Sequence, residues 1–411
     1  MIRVLTGASV SVPGVCVGTA PAFPAPEGPA VPSAGFEPAR LRSAMDAVHE
    51  AGVPGVFGEV RDAGRTWRGA SGVADVTSGR PVESGMRQRV GSITKSFTAA
   101  GVMLQVEQGR IGLDAPIGDL LPELVPGERG RRVTVRMLLN HTSGISDYLP
   151  YAFPSLRGLP SGPDTSPESL DDNRFRRFRP AELIEMGLTA PPAGEPGGPT
   201  GVYSNTNYLL LGRLLEHVTG TSAEECVTRD VIEPAGLRHT GFPTGPHVRG
   251  PHPRLYEVLY GLIDPPRDYS VYDMSWVGPS AALVSVMEDL NRFYGKLLAG
   301  EIVSRSSLEQ MQRTVPVRAL DGSMIDYGLG LQKVTAPGGG IFWGHEGSVW
   351  GAGTTSLTRA DGGRQMSVTV NLARWNEPDS SGRPQPHPID GALSSLFRLA
   401  MGGDQDASAP A

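Results

Sequence analysis

Strand-like segments at both ends of the chain, with helical segments filling its middle, predict an α/β protein of the α+β type. In that arrangement one antiparallel sheet is assembled from both ends, flanked by helices, with a mainly helical lobe inserted. Two observations carry this. Short runs with turn signals lie near residues 55–75 and again beyond residue 320. Between them apolar residues recur at helical spacing. With 411 residues and 39% hydrophobic content, the chain can bury a large core. Its formal charge of -6 argues against a nucleic-acid or anionic-membrane partner.

Residues 1–34 are rich in Pro, Ala and Gly. Arg3, a mildly apolar stretch and Thr19-Ala20-Pro21-Ala22 faintly suggest a secretory leader, with Pro13 interrupting it and Val15 preceding Cys16. A disordered segment or a misplaced start accounts for them equally well. Residues 35–401 read as one domain, with a sheet lobe over 35–90 and 300–401 and a helical lobe over 91–299. Residues 402–411 read as a loose tail.

Within the domain, Pro38 to Gly52 has Leu41, Met45 and Val48 on one helical side. VPGVFGEVRDAG and RTWRGASGVAD form a hairpin. Thr134 caps a helix ending near His141, and Leu149 to Pro180 reads as a long irregular loop. In that loop the basic patch RFRRFRP is expected to pack Phe175 and Phe178 down and leave its arginines wet. Ser285 and Glu288 read as a capping box. The last quarter reads as three strands, IDYGLGLQKV, IFWGHEGSVWGAGTTSLTR and RQMSVTVNLA, closed by a terminal helix.

The stretch RVGSITKSFTAAGVMLQVEQG offers chemistry. Ser92 and Lys95 are one helical turn apart and share a face, in a helix apolar nearly all round, with Gly109 as its stop. A lysine amine without hydration is disfavoured as ammonium and can take a hydroxyl proton. Alone the spacing is weak, since helix starts often carry Ser and most lysines are solvated.

Three more pieces can converge on it. Tyr203-Ser204-Asn205 precedes a helix. A phenol relays protons where nearby cations lower its pKa, and an Asn amide can both donate and accept. The plainer reading is that Ser204 or Asn205 caps the helix. Gly344-His345-Glu346-Gly347-Ser348 lies in a strand, where Gly347 permits close approach and a backbone N–H can join that of Ser92 in an oxyanion hole. His141-Thr142-Ser143-Gly144 reads mainly as a helix terminator. Two cysteines, Cys16 and Cys226, and eight histidines without metal-ligand spacing suggest no metal and no cofactor. No apolar run reaches membrane-spanning length.

The motifs VGSITKSFTA, LLNHTSG, YSNTNY, YGLGL and GHEG, in this order, resemble the penicillin-binding enzymes of the serine β-lactamase superfamily. Within it the chain resembles most the secreted D-alanyl-D-alanine carboxypeptidases related to class C β-lactamases. The resemblance covers residues 36–400 and implies a β-lactamase/transpeptidase-like fold. It implies an acyl-enzyme at Ser92 activated by Lys95, Tyr203 as proton shuttle, and His345 beside Tyr203. It further implies Asn205 as a substrate-amide ligand, an oxyanion hole at Ser92 and Ser348, and Trp276 as an aromatic cleft wall. The partner is then a small peptide, amide or ester, β-lactams included, acted on by a monomer. That enzyme is secreted or in the cell envelope if the leader is real, and cytoplasmic otherwise.

The departures bear on substrate. Gln332 stands where the carboxypeptidase pattern has an arginine for the substrate carboxylate, and strand alternation turns Lys333 to the other face. Glu346 stands where Thr is usual. If ionised it repels a substrate carboxylate by about 1 kcal/mol or more. Esterase, D-aminopeptidase and peptide-cyclising acyltransferase activities stay open beside the carboxypeptidase, as does a binding protein without turnover.

Overall fold

A computed structural model describes residues 36–158, 162, 164–336 and 340–402. The expectations for residues 1–34 and for the tail lie outside these, except that Gly402 caps the last helix.

The first helix, α1 (Pro38–Glu50), starts on a proline suited to a first helical turn and buries Leu41, Met45 and Val48. Strands β1 (Gly55–Asp62) and β2 (Arg65–Asp75) then pair antiparallel. Their two-residue turn is Ala63-Gly64, with φ of 46° and 82°, the twist that such hairpins need. Eight further strands complete the sheet: β3 (Arg80–Pro81), β4 (Gly201–Val202), β5 (Val315–Arg318), β6 (Met324–Tyr327), β7 (Gln332–Thr335), β8 (Ile341–Val349), β9 (Ala352–Arg359) and β10 (Arg364–Val370). Their spatial order is β3-β2-β1-β10-β9-β8-β7-β6-β5-β4. All neighbours are antiparallel except the β4–β5 edge pair. Val56 lies opposite Val370, so the two ends of the chain meet in mid-sheet as expected.

Alternation sets the layers. Val56 and Val60 on β1, with Met366 and Val368 on β10, pack under α1 and the terminal helix α7 (Pro388–Met401) through Leu393, Leu396 and Phe397. Phe57 points the other way, into the core shared with α2 (Thr94–Glu107) and α6 (Met287–Ala299). There Phe97 stacks on Phe293 at 3.7 Å between ring centroids. Asn291 of α6 donates to the Glu59 carbonyl and accepts from the Ser367 hydroxyl, tying helix to sheet. The middle of the chain supplies the helical lobe, including α3 (Val135–Leu139), α4 (Pro180–Thr189) and α5 (Asn205–Thr219). Thr134 caps α3 through the Met137 N–H as expected.

Five local expectations fail for identifiable reasons. IDYGLGLQKV is two strands, β6 and β7, because the chain turns at Gly328–Leu331, where Gly330 has φ of 75°. IFWGHEGSVWGAGTTSLTR likewise breaks at Gly351 (φ 72°) into β8 and β9. The loop after Leu149 holds short helices at Leu149–Ala152, Pro154–Leu156 and Glu168–Asp172. In its basic patch Phe178 is buried but Phe175 is 62% exposed, while Arg174 is tied to the carbonyls of Val271 and Asp268. The capping box does not form, since Ser285 belongs to a short strand and bonds Thr240, and α6 starts after Val286 with no side-chain cap.

Phe97 has no exposed surface and sits where helix, sheet and α6 meet. Phe97→Ala is expected to cost roughly 3–5 kcal/mol, measured by denaturant unfolding.

Candidate active site

The helix that carries Ser92 and Lys95 begins with a tight turn over Gly91–Ile93. Its polar side chains are each tied down. Thr94 donates to the Gly91 carbonyl, Ser96 to that of Gly330 and Thr98 to that of Pro279. The helix therefore tolerates burial nearly all round, as its sequence suggests.

Lys95 is fully buried. Its Nζ lies 3.0 Å from Ser92 Oγ, 2.7 Å from Asn205 Oδ1 and 3.1 Å from the Ser280 carbonyl. It also sits over the rings of Tyr203 and Tyr208, at 4.8 and 5.4 Å. Burial pulls the amine down to about 7, with Asp147 opposing the fall. A dry base thus stands within hydrogen-bond reach of the expected hydroxyl.

Tyr203 arrives from just before α5 and is buried against His141, 4.2 Å between ring centroids. Its pKa does not fall as the relay idea supposed. Burial raises it well above the ordinary value, and the Ser92 side chain is what opposes this. The phenol therefore rests protonated. Asn205 presents its amide oxygen to Lys95 and its amide nitrogen to Asp147 Oδ2 at 2.8 Å. Neither Ser204 nor Asn205 caps α5, because Asp147 Oδ2 also accepts the Asn205 backbone N–H at 2.8 Å. The cap comes from a carboxylate 58 residues away in sequence.

His345 on β8 lies beside Tyr203, with ring centroids 6.4 Å apart. Its Nδ1 faces the Glu346 carbonyl and so carries the proton, leaving Nε2 to accept from the Tyr327 hydroxyl at 2.9 Å. Burial, then Lys95, pushes it down to about 3, so it is neutral. His141 has φ of 63° and ends its helix as expected, but it does more. Its Nδ1 accepts the Ser204 N–H and the Asn207 amide, and its ring packs on Tyr203.

Strand β8 crosses the helix start at van der Waals distance. A Cβ on Gly347 would stand 1.9 Å from the Val90 carbonyl oxygen and 2.8 Å from the Ser92 nitrogen. One on Gly91 would stand 2.6 Å from the Ser348 nitrogen. The backbone nitrogens of Ser92 and Ser348 are thereby gathered at one crossing, where the oxyanion expectation needs them.

A cavity of about 220 Å³ opens over this crossing. Ser92, Tyr203, Asn205, Gln332, His345, Glu346, Gly347, Ser348 and Trp276 all line it. Trp276 stacks on Trp350 at 5.1 Å, with the Phe153 ring edge-on to both. Gln332 accepts the Glu346 N–H, and Lys333 does not line the cavity. Glu346 corrects the sequence argument. Burial, then Asp321, pushes its carboxyl up to about 8, so near neutrality it is mostly uncharged rather than ionised.

The sequence reading missed Asp147, Tyr327, Trp350 and the Ser280 carbonyl. Tyr327 opens YGLGL, but the substrate signal in that stretch came from Gln332 at its end, and a strand tyrosine is ordinarily a core residue. Asp147 stands three residues beyond Gly144 in HTSGISDY, a spacing with no helical or strand meaning. A main-chain carbonyl leaves no signal in sequence.

At the base of this cleft a serine hydroxyl lies within hydrogen-bond reach of a buried amine, on a sheet flanked by helices. A family model described as Beta-lactamase matches residues 40–387, and the chain belongs to that family. It is 28% identical over 308 residues to "Penicillin-binding protein 4*" of Bacillus subtilis, covering 70% of this chain and 61% of that one. It is 28% identical over 372 residues to a "D-aminopeptidase" of Cereibacter sphaeroides, covering 88% and 63%. The chain thus spans less than two thirds of the length of these relatives. A solved D-stereospecific amidohydrolase from Streptomyces sp. superposes with a TM-score of 0.75 at 31% identity, covering 90% of this chain and 99% of that one. Among the described residues no helix is long and apolar enough to cross a membrane.

Because the Gly347 site has no room for a side chain, Gly347→Ala is expected to lower ester turnover by about a hundredfold or more through displacement of the crossing. Titrating active sites with a chromogenic ester checks this, with circular dichroism to confirm the fold.

Proposed function

We propose that this protein is an acyl-enzyme amidohydrolase for small amides, esters and peptides that carry a free amine, of the D-aminopeptidase or D-amino-acid-amidase kind. On this reading carboxypeptidase action on free-carboxylate peptides is weak. The observation that carries the substrate class is the cleft wall of Glu346 and Gln332, where a carboxypeptidase would need a cation. A glutamic acid near pKa 8 does not attract a carboxylate. An incoming ammonium favours its ionised form and is held by it. The names of the D-aminopeptidase and D-stereospecific relatives support D-configured substrates. The Trp276, Trp350 and Phe153 rings suit an apolar side chain.

The chemistry follows from the protonation states. Neutral Lys95 takes the Ser92 hydroxyl proton as Oγ forms its bond to the substrate carbonyl carbon. The ammonium so formed has an acceptor for each hydrogen: Ser92 Oγ, Asn205 Oδ1 and the Ser280 carbonyl. The oxyanion develops between the N–H groups of Ser92 and Ser348. Tyr203, held protonated, gives its proton to the leaving amine as the C–N bond breaks, and Lys95 restores it. Water then repeats the sequence on the ester. The order of pKa values favours the amine over the phenol as first base.

Three outcomes are expected. The kcat/KM for a neutral ester should fall as pH drops through about 7, because the required amine is then protonated. For substrate class, a D-amino-acid amide should exceed its N-acetyl form in kcat/KM by about tenfold or more, and Glu346→Gln should erase that ratio. An acyl-D-Ala-D-Ala peptide cleaved faster as free acid than as C-terminal amide would refute the reading. Ser92→Ala should abolish both turnover and the acyl-enzyme adduct in intact-mass spectra.

A further inference from the structure

The Ser92–Lys95 chemistry proposed above needs the amine's lone pair to face the serine, and the structure shows what aims it. Asp147 lies in the segment between α3 and α4, at the cleft wall. Its Oδ1 accepts the Leu149 N–H at 2.8 Å. Its Oδ2 accepts two donors from one residue, the backbone and side-chain N–H groups of Asn205, both at 2.8 Å.

We infer that Asp147 is a positioning residue for the nucleophile: it locks the Asn205 amide in one orientation and thereby points the Lys95 lone pair at Ser92. Burial raises the Asp147 pKa and the three N–H groups it accepts oppose the rise; as a carboxylate it accepts and does not donate, so the nitrogen end of the Asn205 amide must face it. The oxygen end is then forced onto Lys95 Nζ, 2.7 Å away. A neutral amine has two hydrogens and one lone pair. Asn205 Oδ1 and the Ser280 carbonyl are both pure acceptors, and together they consume both hydrogens. The one remaining direction is Ser92 Oγ at 3.0 Å, which the lone pair must occupy. Without the carboxylate the Asn205 amide is free to flip. Its N–H would then compete with Ser92 for the lone pair.

Asp147 also acts through charge. Lys95 is faced by Asp147, by the rings of Tyr203 and Tyr208, and by the neutral imidazoles of His141 and His345. Of these only Asp147 opposes the fall of the amine's pKa. Removing its charge must therefore move the amine lower, and with it the acid limb of the pH profile. A role confined to packing would lower the rate without moving that limb.

The test measures kcat/KM against pH for p-nitrophenyl butyrate with the full chain, a substrate without an amine and so insensitive to Glu346. Asp147→Asn is expected to lower the plateau by about tenfold to a hundredfold. The same variant should shift the acid limb to lower pH by roughly one unit. A folded Asp147→Asn whose limb stays in place or moves up, or whose plateau stays within about threefold of wild type, overturns the inference. Should that variant not fold, Asn205→Ala decides. With the bridge gone and the charge kept, its plateau falls by a similar factor, and a plateau within about threefold of wild type overturns the inference. Ester turnover that survives in Ser92→Ala would instead defeat the acyl-enzyme reading itself, a separate outcome.

Discussion

Keeping an ammonium out of water is costly, and everything near the centre of this protein follows from placing the Lys95 amine where water does not reach. A lysine in that position relaxes by giving up its proton, which turns a penalty of burial into a base poised near neutrality. The helix that carries it can be buried because each of its hydroxyls finds a carbonyl. The amine itself meets three hydrogen-bond partners from three separate parts of the chain. The same dryness acts with opposite sign on the acids around it. It holds Tyr203 as a phenol, and partial desolvation at the cleft wall, with Asp321, raises the Glu346 carboxyl.

The second constraint is contact between backbones. The turn at Gly91 and strand β8 at Gly347 touch so closely that a methyl group on either would overlap main-chain atoms. The antiparallel sheet makes this contact possible, since it draws segments from both ends of the chain into one layer and leaves β8 facing the start of α2. The helical lobe completes the site from the other side. It supplies Tyr203, Asn205 and Asp147 from loops that run into helices. Scaffold and reacting centre are thus held together by the fold, and the cleft wall beside them is a separate surface. Glu346 and Gln332 occupy that wall here, and they carry no fixed positive charge.

Much of this architecture could be read from local patterns. Leu41, Met45 and Val48 declare a helix face, and Ala63-Gly64 between alternating runs declares a hairpin. Ser92 and Lys95 one turn apart in an apolar helix point to a buried amine only together with YSNTNY and GHEG further along. Errors arose where a pattern was locally ambiguous. Glycines within IDYGLGLQKV and around Gly351 looked like strand interiors, and the positive φ of Gly330 and Gly351 reveals turns. Ser285 and Glu288 have capping-box spacing, yet Ser285 is recruited into a strand with Gln88–Arg89. Phe175 and Phe178 have equivalent neighbours in sequence, and one is buried while the other is not.

By itself the sequence determined the fold class, the serine–lysine pair and Gly347 at the crossing, because each of these is set by periodicity or by the steric needs of a few adjacent residues. Tertiary structure alone decided which distant groups complete the site. Asp147 caps α5 and grips Asn205, Tyr327 holds His345, and the Ser280 carbonyl takes a hydrogen of Lys95. It also decided the protonation states of Tyr203 and Glu346, against the local expectation in both cases. The reason is physical. Desolvation and hydrogen-bond orientation depend on what surrounds a side chain in three dimensions, and no spacing along the chain encodes that.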